Sequence, residues 1–424
     1  MSLNSTWLPA AQADFPSTML QVTAATGSYL INQDGEQIYD AISSWWCKPL
    51  GHCHPLVQES LTRQLQHFEH HIPANAYNDN LEQLSTYLCN IFTTMDKVMY
   101  ASDGSSAVEI ALKLSYEARV LSGEPHKSKF IALANGYHGE TIFTLSVCGI
   151  PSYKKNYTPL LAYNYFIEDV LYVTGRDDPL WHNSKFDDAK WRQFFTNCAT
   201  DASGFIFEPI VQGAAGLKII SRDFLIKLIK LARDFNLHII ADEIMVGLGR
   251  LGCLSVTKDV LGIEPDIICF AKNLTAGAIP MSAVGINQTI TDIFRRSQQI
   301  FPHSHTHSCN GLATAVALSY LELLHNSNLL QEVQQSEAQL KSMLAALAAE
   351  FTFIHSCRAI GALAACDLAL APTVIQKIYT LGLAAKIYLR PIDNTLYIMP
   401  PLNNLQAEIP IIYQRLRSVL LRCN

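Results

Sequence analysis

The stretch His238-Ile239-Ile240-Ala241-Asp242-Glu243 decides the fold of this chain. Its apolar run ends in two acidic residues, which is typical of a strand buried on both faces of a parallel sheet. Just before it, residues 224–235 place leucine, isoleucine and alanine at helical spacing, behind Ser221 or Asp223 as the helix cap. A helix that leads directly into a buried strand predicts an α/β domain.

The same alternation of helix and strand extends outward on both sides of this stretch. Predicted strands lie at residues 98–101, 130–134, 204–210, 267–271 and 281–286, and a predicted helix lies at 107–121. This order predicts a large domain, residues 46–305, on a mostly parallel sheet.

The last quarter of the chain has a different pattern. Long helices are predicted at 312–325 and 329–351, and a strand is predicted at 395–399. We expect residues 1–45 and 306–424 to form together a smaller α+β domain.

Composition favours a small-molecule enzyme over a nucleic-acid or membrane protein. The 37 acidic residues exceed the 31 basic ones, for a net charge of −6, whereas phosphate backbones need a basic face. The most apolar stretch, residues 359–375, is interrupted by Asp367 and Pro372, so no membrane span is predicted. The first 22 residues lack a basic leader region, and eleven cysteines occur without a C-x-x-C pair, so we expect a cytoplasmic protein with reduced thiols.

Four features point to one cofactor. Lys272 follows an apolar strand, where partial burial would lower its pKa and make it nucleophilic. Asp242 ends another strand, the small residues Ser102–Ser106 precede a helix whose start attracts anions, and Tyr137 follows a third strand. Pyridoxal 5′-phosphate (PLP) needs a lysine for its Schiff base, a carboxylate at the pyridine nitrogen, a phosphate site and a stacking aromatic ring. The four features match these needs.

The order and spacing of these motifs resemble the class III, fold-type I aminotransferases over nearly the whole chain. The resemblance rests on Glu208-Pro209-Ile210-Val211-Gln212-Gly213, then Ala241-Asp242-Glu243, then Gly247-Leu248-Gly249-Arg250, and then Lys272. It implies a PLP-dependent aminotransferase that works as a homodimer with shared active sites.

The resemblance also implies roles for individual residues. Lys272 would form the Schiff base, Asp242 would pair with the pyridine nitrogen, and Tyr137 would stack on the ring. The phosphate would be bound by Gly104 and Ser105, and by Thr306 of the neighbouring subunit. The substrate carboxylate would be bound by Arg390, and the substrate pocket would be lined by Trp45, Trp46, Arg250 and Tyr397.

Within the class, the chain is most similar to the branch that acts in biotin biosynthesis. The similarity lies in Ser43-Ser44-Trp45-Trp46, in the Glu208–Gly213 segment and in Leu389-Arg390-Pro391. It implies amination of 8-amino-7-oxononanoate to 7,8-diaminononanoate, with S-adenosylmethionine as the expected donor and lysine or another amine as alternatives. The chain departs from the branch at Ala10, where a pocket tyrosine is usual, at Glu140, where Asp is usual, and in the loop His303–His307, which lacks Gly-Pro before the threonine.

Three other interpretations agree less well with the residues. Gly247-Leu248-Gly249-Arg250-Leu251-Gly252 has the G-x-G-x-x-G form of a dinucleotide site, but it lies far into the chain and no good helix start follows. Histidine clusters at 67–71 and 303–307 lack the spacing of a zinc site, so no metal is predicted. A non-catalytic protein with the same fold would not need Lys272 and Asp242 together.

Overall fold

The computed structural model describes residues 5–11 and 19–423. The strands are β1 Val22–Thr26, β2 Tyr29–Asn32, β3 Gln37–Asp40, β4 Met95–Ala101, β5 Lys129–Leu133, β6 Tyr165–Ile167, β7 Tyr172–Val173, β8 Ala202–Phe207, β9 Val211–Gln212, β10 Lys218–Ile220, β11 His238–Asp242, β12 Ile267–Phe270, β13 Ser282–Asn287, β14 Ile354–Ile360, β15 Leu363–Leu368, β16 Ile387–Tyr388 and β17 Thr395–Ile398.

The helices are α1 Ser43–Trp46, α2 Pro55–Leu65, α3 Asp79–Asn90, α4 Gly104–Leu121, α5 Ile142–Ser146, α6 Pro151–Lys154, α7 Pro179–His182, α8 Asp188–Cys198, α9 Arg222–Asp234, α10 Val256–Asp259, α11 Gln288–Ser297, α12 Gly311–Asn326, α13 Leu329–Glu350, α14 Pro372–Ile375, α15 Ile378–Ala384 and α16 Leu405–Leu420. Two 3₁₀ turns lie at Thr158–Leu160 and Lys272–Thr275. None of the helices within residues 5–11 and 19–423 is long and apolar enough to cross a bilayer.

A seven-stranded sheet forms the centre of the molecule, in the order β4-β13-β12-β11-β8-β5-β6. The pairs from β12 to β6 are all parallel, whereas β13 runs antiparallel to both of its neighbours. The prediction of an α/β fold on a mostly parallel sheet is therefore confirmed.

Both faces of this sheet are covered, as expected for strands that are apolar throughout. Along β11, Ile239 and Ala241 pack into the core shared with α9, while Ile240 packs into the opposite core shared with α4. Because successive side chains point to opposite faces, one unbroken apolar run serves both cores.

Helix α9 shows how local sequence sets an element. Leu225, Leu228 and Ile229 form its buried face, and the Oγ of Ser221 accepts a hydrogen bond from the amide of Phe224 at 3.3 Å. Of the two predicted caps, Ser221 is thus the one used. Asp223 instead accepts from Ser184 and Lys227.

Strand β8 is shorter than predicted, ending at Phe207 instead of residue 210. Ile210 has a left-handed φ of 69°, which ends the extended backbone. The chain then turns into β9, which belongs to a separate small sheet with β7 and β10.

Two further sheets lie outside the central one. The first joins β1, β2 and β3 to the C-terminal strand β16, through the parallel pair β3–β16, and the second has the order β14-β15-β17. Both ends of the chain therefore contribute to one sheet. The domain boundaries at 45/46 and 305/306 stay a prediction, and residues 1–4, 12–18 and 424 of the predicted small domain lie outside the described residues.

Candidate active site

Lys272 lies two residues beyond the end of β12, at the start of a 3₁₀ turn. Its φ of 30° is in the left-handed region, which is unusual for a residue with a side chain. Burial lowers the pKa of its ammonium group, and the carboxylates of Asp242 and Glu208 partly oppose that effect. Its Nζ lies 5.4 Å from the centre of the Trp46 ring.

Asp242 is the last residue of the neighbouring strand β11. The parallel register pairs Asp242 with Cys269, so this carboxylate and Lys272 emerge at the same edge of the sheet. Oδ2 of Asp242 lies 2.8 Å from Nδ1 of the buried His138, and Oδ1 accepts from the amide of Ile244 at 3.1 Å. These two contacts fix the position of a carboxylate that is almost entirely buried.

Gly104 and Ser105 form the first turn of α4, an 18-residue helix. Asp103 caps the helix by accepting from the amide of Ser106 at 2.9 Å. Gly139 has a φ of 123° and lies against Ser105, since a Cβ at position 139 would be 2.4 Å from the Ser105 Oγ. This close packing and the dipole of a long helix make the turn suitable for binding a phosphate.

Tyr137 follows β5 and is held at two points. Its amide donates to Oε1 of Glu208 at 2.9 Å, and its hydroxyl donates to Oε1 of Glu140 at 2.9 Å. Its ring lies 5.4 Å from the Tyr153 ring. Glu140, one of the three departures from the family pattern, thus contacts the predicted stacking tyrosine directly.

The residues predicted to contact the substrate form two aromatic contacts with one another. The indole Nε1 of Trp46 donates to the hydroxyl of Tyr397 at 3.0 Å, with the rings edge to face at 6.0 Å. The guanidinium carbon of Arg390 lies 4.5 Å from the centre of the Trp45 ring, and Trp45 is 48% exposed. Cation–π contact of this kind holds an exposed arginine in place while leaving its donors free.

These residues surround a cavity of ≈ 400 Å³. The predicted residues that line it are Lys272, Asp242, Tyr137, Gly104, Ser105, Trp45 and Trp46. His138, Glu208, Cys47, Met245 and Ile244 also line it, although none of them received a role from the sequence. His138 could have been recognised from its place next to Tyr137, whereas nothing in the local sequence indicates that Met245 or Cys47 faces a cavity.

Four predicted residues are not among those that line the cavity. Tyr397 lies behind Trp46, and Arg390 lies over Trp45. Thr306 is exposed, and its carbonyl oxygen lies 2.7 Å from Nε2 of His70.

Arg250 is 0% exposed, and its Nη1 donates to the carbonyl oxygen of Pro400 at 2.6 Å. Burial lowers the pKa of its guanidinium to about 10. Within the part of the chain that is described, its Nε and Nη2 have no hydrogen-bond partner. Its role in substrate binding stays a prediction.

The glycine-rich segment 247–252 is a buried turn, and no helix begins directly after it. Leu248, Gly249 and Gly252 all have positive φ, and a Cβ at position 249 would lie 3.1 Å from the Tyr320 hydroxyl. Its backbone amides do not open onto a helix start, so the segment lacks the geometry of a dinucleotide site.

The histidine clusters are separate from this cavity. Nε2 of His303 lies 3.1 Å from Nε2 of His305, and the rings of His70 and His307 are 5.3 Å apart. Across residues 5–11 and 19–423, no group of three or more His, Cys, Asp or Glu side chains is arranged to hold a metal ion.

The cavity residues fit PLP. A buried lysine with a lowered pKa suits an aldehyde, the buried Asp242 suits a protonated ring nitrogen, and the start of α4 suits a phosphate. Tyr137 is within the same lining and offers an aromatic face.

Comparison with known proteins agrees with this chemistry. The family model for class-III aminotransferases matches residues 10–420. The adenosylmethionine-8-amino-7-oxononanoate aminotransferase of Helicobacter pylori is 32% identical over 419 residues, which cover 95% of this chain and 92% of that protein.

Two solved structures are similar over almost the whole chain. A PLP-bound amine transaminase from an uncultivated Pseudomonas species has a TM-score of 0.92 at 28% identity and covers 99% of both chains. The adenosylmethionine-8-amino-7-oxononanoate aminotransferase of Methanocaldococcus jannaschii has a TM-score of 0.89 at 26% identity, covering 99% of this chain and 97% of that one. The chain belongs to the class-III aminotransferases and is therefore an enzyme that transfers amino groups.

Proposed function

We propose that this enzyme uses PLP to aminate 8-amino-7-oxononanoate to 7,8-diaminononanoate, the amino transfer of biotin biosynthesis, with S-adenosylmethionine as amino donor. The proposal rests on one observation above all. Lys272 and Asp242 leave adjacent parallel strands into one cavity, whose lining also contains the Trp45-Trp46 pair. The relatives named above, from Helicobacter pylori and Methanocaldococcus jannaschii, support the choice of substrate.

The chemistry divides between the cofactor and the chain. PLP, when bound, supplies an electron sink for the bonding electrons released at the amine-bearing carbon. Asp242, positioned by His138, would hold the proton on the ring nitrogen. Lys272 would hold the cofactor at rest, and its Nζ would then accept the proton from the substrate carbon and release it again.

Substrate recognition would depend on the other side of the cavity. Arg390 is exposed and stacked on Trp45, which leaves its guanidinium donors available for the carboxylate of the acceptor. Trp45 and Trp46 offer aromatic faces to the adenine and the sulfonium cation of the donor. Ala10 is exposed and is not among the cavity residues, so the proposal assigns this contact to the tryptophans.

A test should treat the two half-reactions separately. We would mix the PLP form with S-adenosylmethionine, lysine or another amine, and follow conversion of PLP to pyridoxamine phosphate by absorbance. We would then add 8-amino-7-oxononanoate and detect 7,8-diaminononanoate by mass spectrometry. If lysine converts PLP to pyridoxamine phosphate and S-adenosylmethionine does not, the proposed donor is refuted. If no 7,8-diaminononanoate forms, the proposed acceptor is refuted.

We also propose a homodimer with shared active sites in the cytoplasm. Thr306 is exposed and is not among the residues that line the cavity. The side chain of Ile300, on the same loop, is 88% exposed. Ile72, two residues from the His70 that contacts Thr306, is also exposed. These exposed groups support an interface with a second copy, in which Thr306 would approach the partner's phosphate site. All eleven cysteines are free, which supports a reducing compartment.

A further inference from the structure

Glu208 is a buried carboxylate in the cavity lining that has no role in the proposed reaction. It lies just beyond the end of β8 and is 6% exposed. Its two oxygens bind separate backbone groups: Oε1 accepts from the amide of Tyr137 at 2.9 Å, and Oε2 accepts from the amide of Gly213 at 3.0 Å. One side chain thus joins two loops that are far apart in sequence.

The first of these loops contains Tyr137 and His138. The ring of Tyr137 faces the cavity, and His138 contacts Asp242. The hydroxyl of Tyr137 is held by Glu140, which is exposed, whereas its backbone is held by the buried Glu208. The hydrogen bond to Glu208 therefore fixes the backbone of Tyr137, from which the aromatic ring extends into the cavity.

The second loop lies against the substrate side of the cavity. A Cβ at position 213 would lie 2.3 Å from Sδ of Met245 and 3.2 Å from the ring of Trp46. The backbone of Gly213 is thus packed directly against two residues that line the cavity. A shift of Gly213 toward these side chains would displace Trp46 or Met245.

Several titratable groups face Glu208. Burial raises the pKa of the Glu208 carboxyl, and the charge of Asp242 raises it further, whereas His138 and the two backbone amides lower it, so that it is about 7 overall. Lys272, Cys148 and Tyr172 also sense the charge of Glu208. Both oxygens are full acceptors only when the carboxyl is ionised, so protonation below neutral pH weakens the contact made by the oxygen that carries the hydrogen.

We propose that Glu208 is a positioning residue, which holds the Tyr137 loop and the Gly213 loop in register and so sets the angle of the Tyr137 ring against PLP. The inference rests on the proposed cofactor and goes beyond it, because it concerns how the two sides of the cavity are aligned. It predicts that a change at Glu208 alters the environment of the bound cofactor even in a variant that folds.

Glu243 provides a matched control. It is also a fully buried glutamate, and it accepts from Ser255, Val256 and Thr257 at the start of α10. It is not among the residues that line the cavity. The substitutions Glu208→Gln and Glu243→Gln therefore make the same chemical change inside and outside the site.

The experiment compares these variants with the wild-type holoenzyme. The measurements are the visible circular dichroism of bound PLP, the dissociation constant for PLP between pH 6 and pH 8, and the melting temperature. In Glu208→Gln one backbone amide faces an NH₂ group instead of an acceptor. We expect a changed visible dichroism and about tenfold weaker PLP binding at pH 8, with the difference shrinking toward pH 6. We expect Glu243→Gln to lower the melting temperature without changing the dichroism.

Unchanged dichroism and PLP affinity in a folded Glu208→Gln variant would overturn the inference. If that variant does not fold, Glu208→Asp keeps the charge but is too short to reach both amides, and it should show the same spectral change. Failure of both variants to fold beside a folded Glu243→Gln would mean that Glu208 is structural, which also overturns it. If the wild-type protein itself showed no PLP absorbance, the proposed cofactor would be refuted. A wild type that binds PLP beside an unchanged Glu208→Gln variant would refute only the role of Glu208.

Discussion

At the scale of single residues, the site depends on the burial of charged groups. Lys272 loses hydration because it lies in the cavity, and the pKa of its ammonium falls although two carboxylates are near. Burial therefore has the larger effect at this position. A lysine with a lowered pKa is neutral in a larger fraction of molecules near pH 7, which is what a nucleophile and proton acceptor requires.

Replacing Lys272 with alanine should abolish turnover while the fold is kept. We expect kcat to fall by at least about 10²–10⁴-fold, since the variant lacks both the covalent attachment and the proton acceptor. Lys230→Ala, on the exposed side of α9, is the control and should have wild-type activity. Turnover and PLP absorbance are the measurements, and near-normal turnover of Lys272→Ala would refute the assignment.

Glu208 should make the stability of the cofactor-free protein depend on pH. The pKa of its carboxyl is about 7 in the folded state, above its usual 4.5, so the folded state holds this proton more tightly. The resulting stabilisation is complete below pH 4.5 and is lost as the pH rises through 7, by about 3 kcal/mol.

The measurement is urea unfolding of the wild type and of Glu208→Gln at pH 5 and pH 8. The variant lacks the titrating group, so its stability relative to wild type should increase with pH. A difference that stays constant between the two pH values would contradict the raised pKa.

At the scale of elements, the loop that contains Gly139 packs against the start of α4, where we propose that the phosphate binds. Gly139 is needed because of its φ of 123° and because a side chain there would collide with Ser105 and with Thr144. In sequence this glycine lies two residues after Tyr137, but the need for glycine there becomes visible only where the loop meets the helix.

Gly139→Ala should weaken cofactor binding, since the added methyl group displaces Ser105. We expect the dissociation constant for PLP to increase by about tenfold or more. The control is Gly123→Ala, where φ is also positive at 81° but no atom lies within 4 Å of the added Cβ. That variant should lose about 1 kcal/mol of stability and keep its PLP affinity. Equal affinity in both variants would show that Ser105 does not contribute to the site.

At the scale of the whole molecule, residues from distant parts of the chain meet at one end of the central sheet. Strand β13 is inserted antiparallel between β4 and β12, so β4 lies at the edge although it precedes the other strands in sequence. Near the C-terminus, Arg390 contacts Trp45 and Tyr397 contacts Trp46, both tryptophans of α1. The two tryptophans and these two C-terminal residues therefore meet only in the folded chain.

The proposed homodimer predicts a particle of twice the 47.1 kDa chain mass in light scattering. Ile300→Asp would place a charge at the proposed interface and should produce monomers with weakened PLP binding. Leu160→Asp is the control, because Leu160 is also exposed, at 65%, but belongs to a different segment, the 3₁₀ turn Thr158–Leu160. A fully active monomeric wild type would refute the shared active site.

The sequence alone was sufficient for the fold class, the family and the cofactor, because these depend on local signals. Apolar runs define buried strands, helical spacing defines α4, α9, α12 and α13, and motif order identified the aminotransferase class that the comparisons confirm. Lys272 and Asp242 could be selected because each ends an apolar strand, and parallel strands end at a common edge.

The tertiary structure decided which residues actually meet. Arg250 and Arg390 were both predicted to contact the substrate, yet Arg250 is fully buried against Pro400 and Arg390 is exposed over Trp45. Glu208 belongs to one of the motifs that carry the family resemblance, but its sequence assigned it no role. Its hydrogen bonds with the amides of Tyr137 and Gly213 are visible only in the structure. The physical reason is that burial and hydrogen bonding depend on contacts between residues far apart in the chain, and no local pattern specifies those contacts.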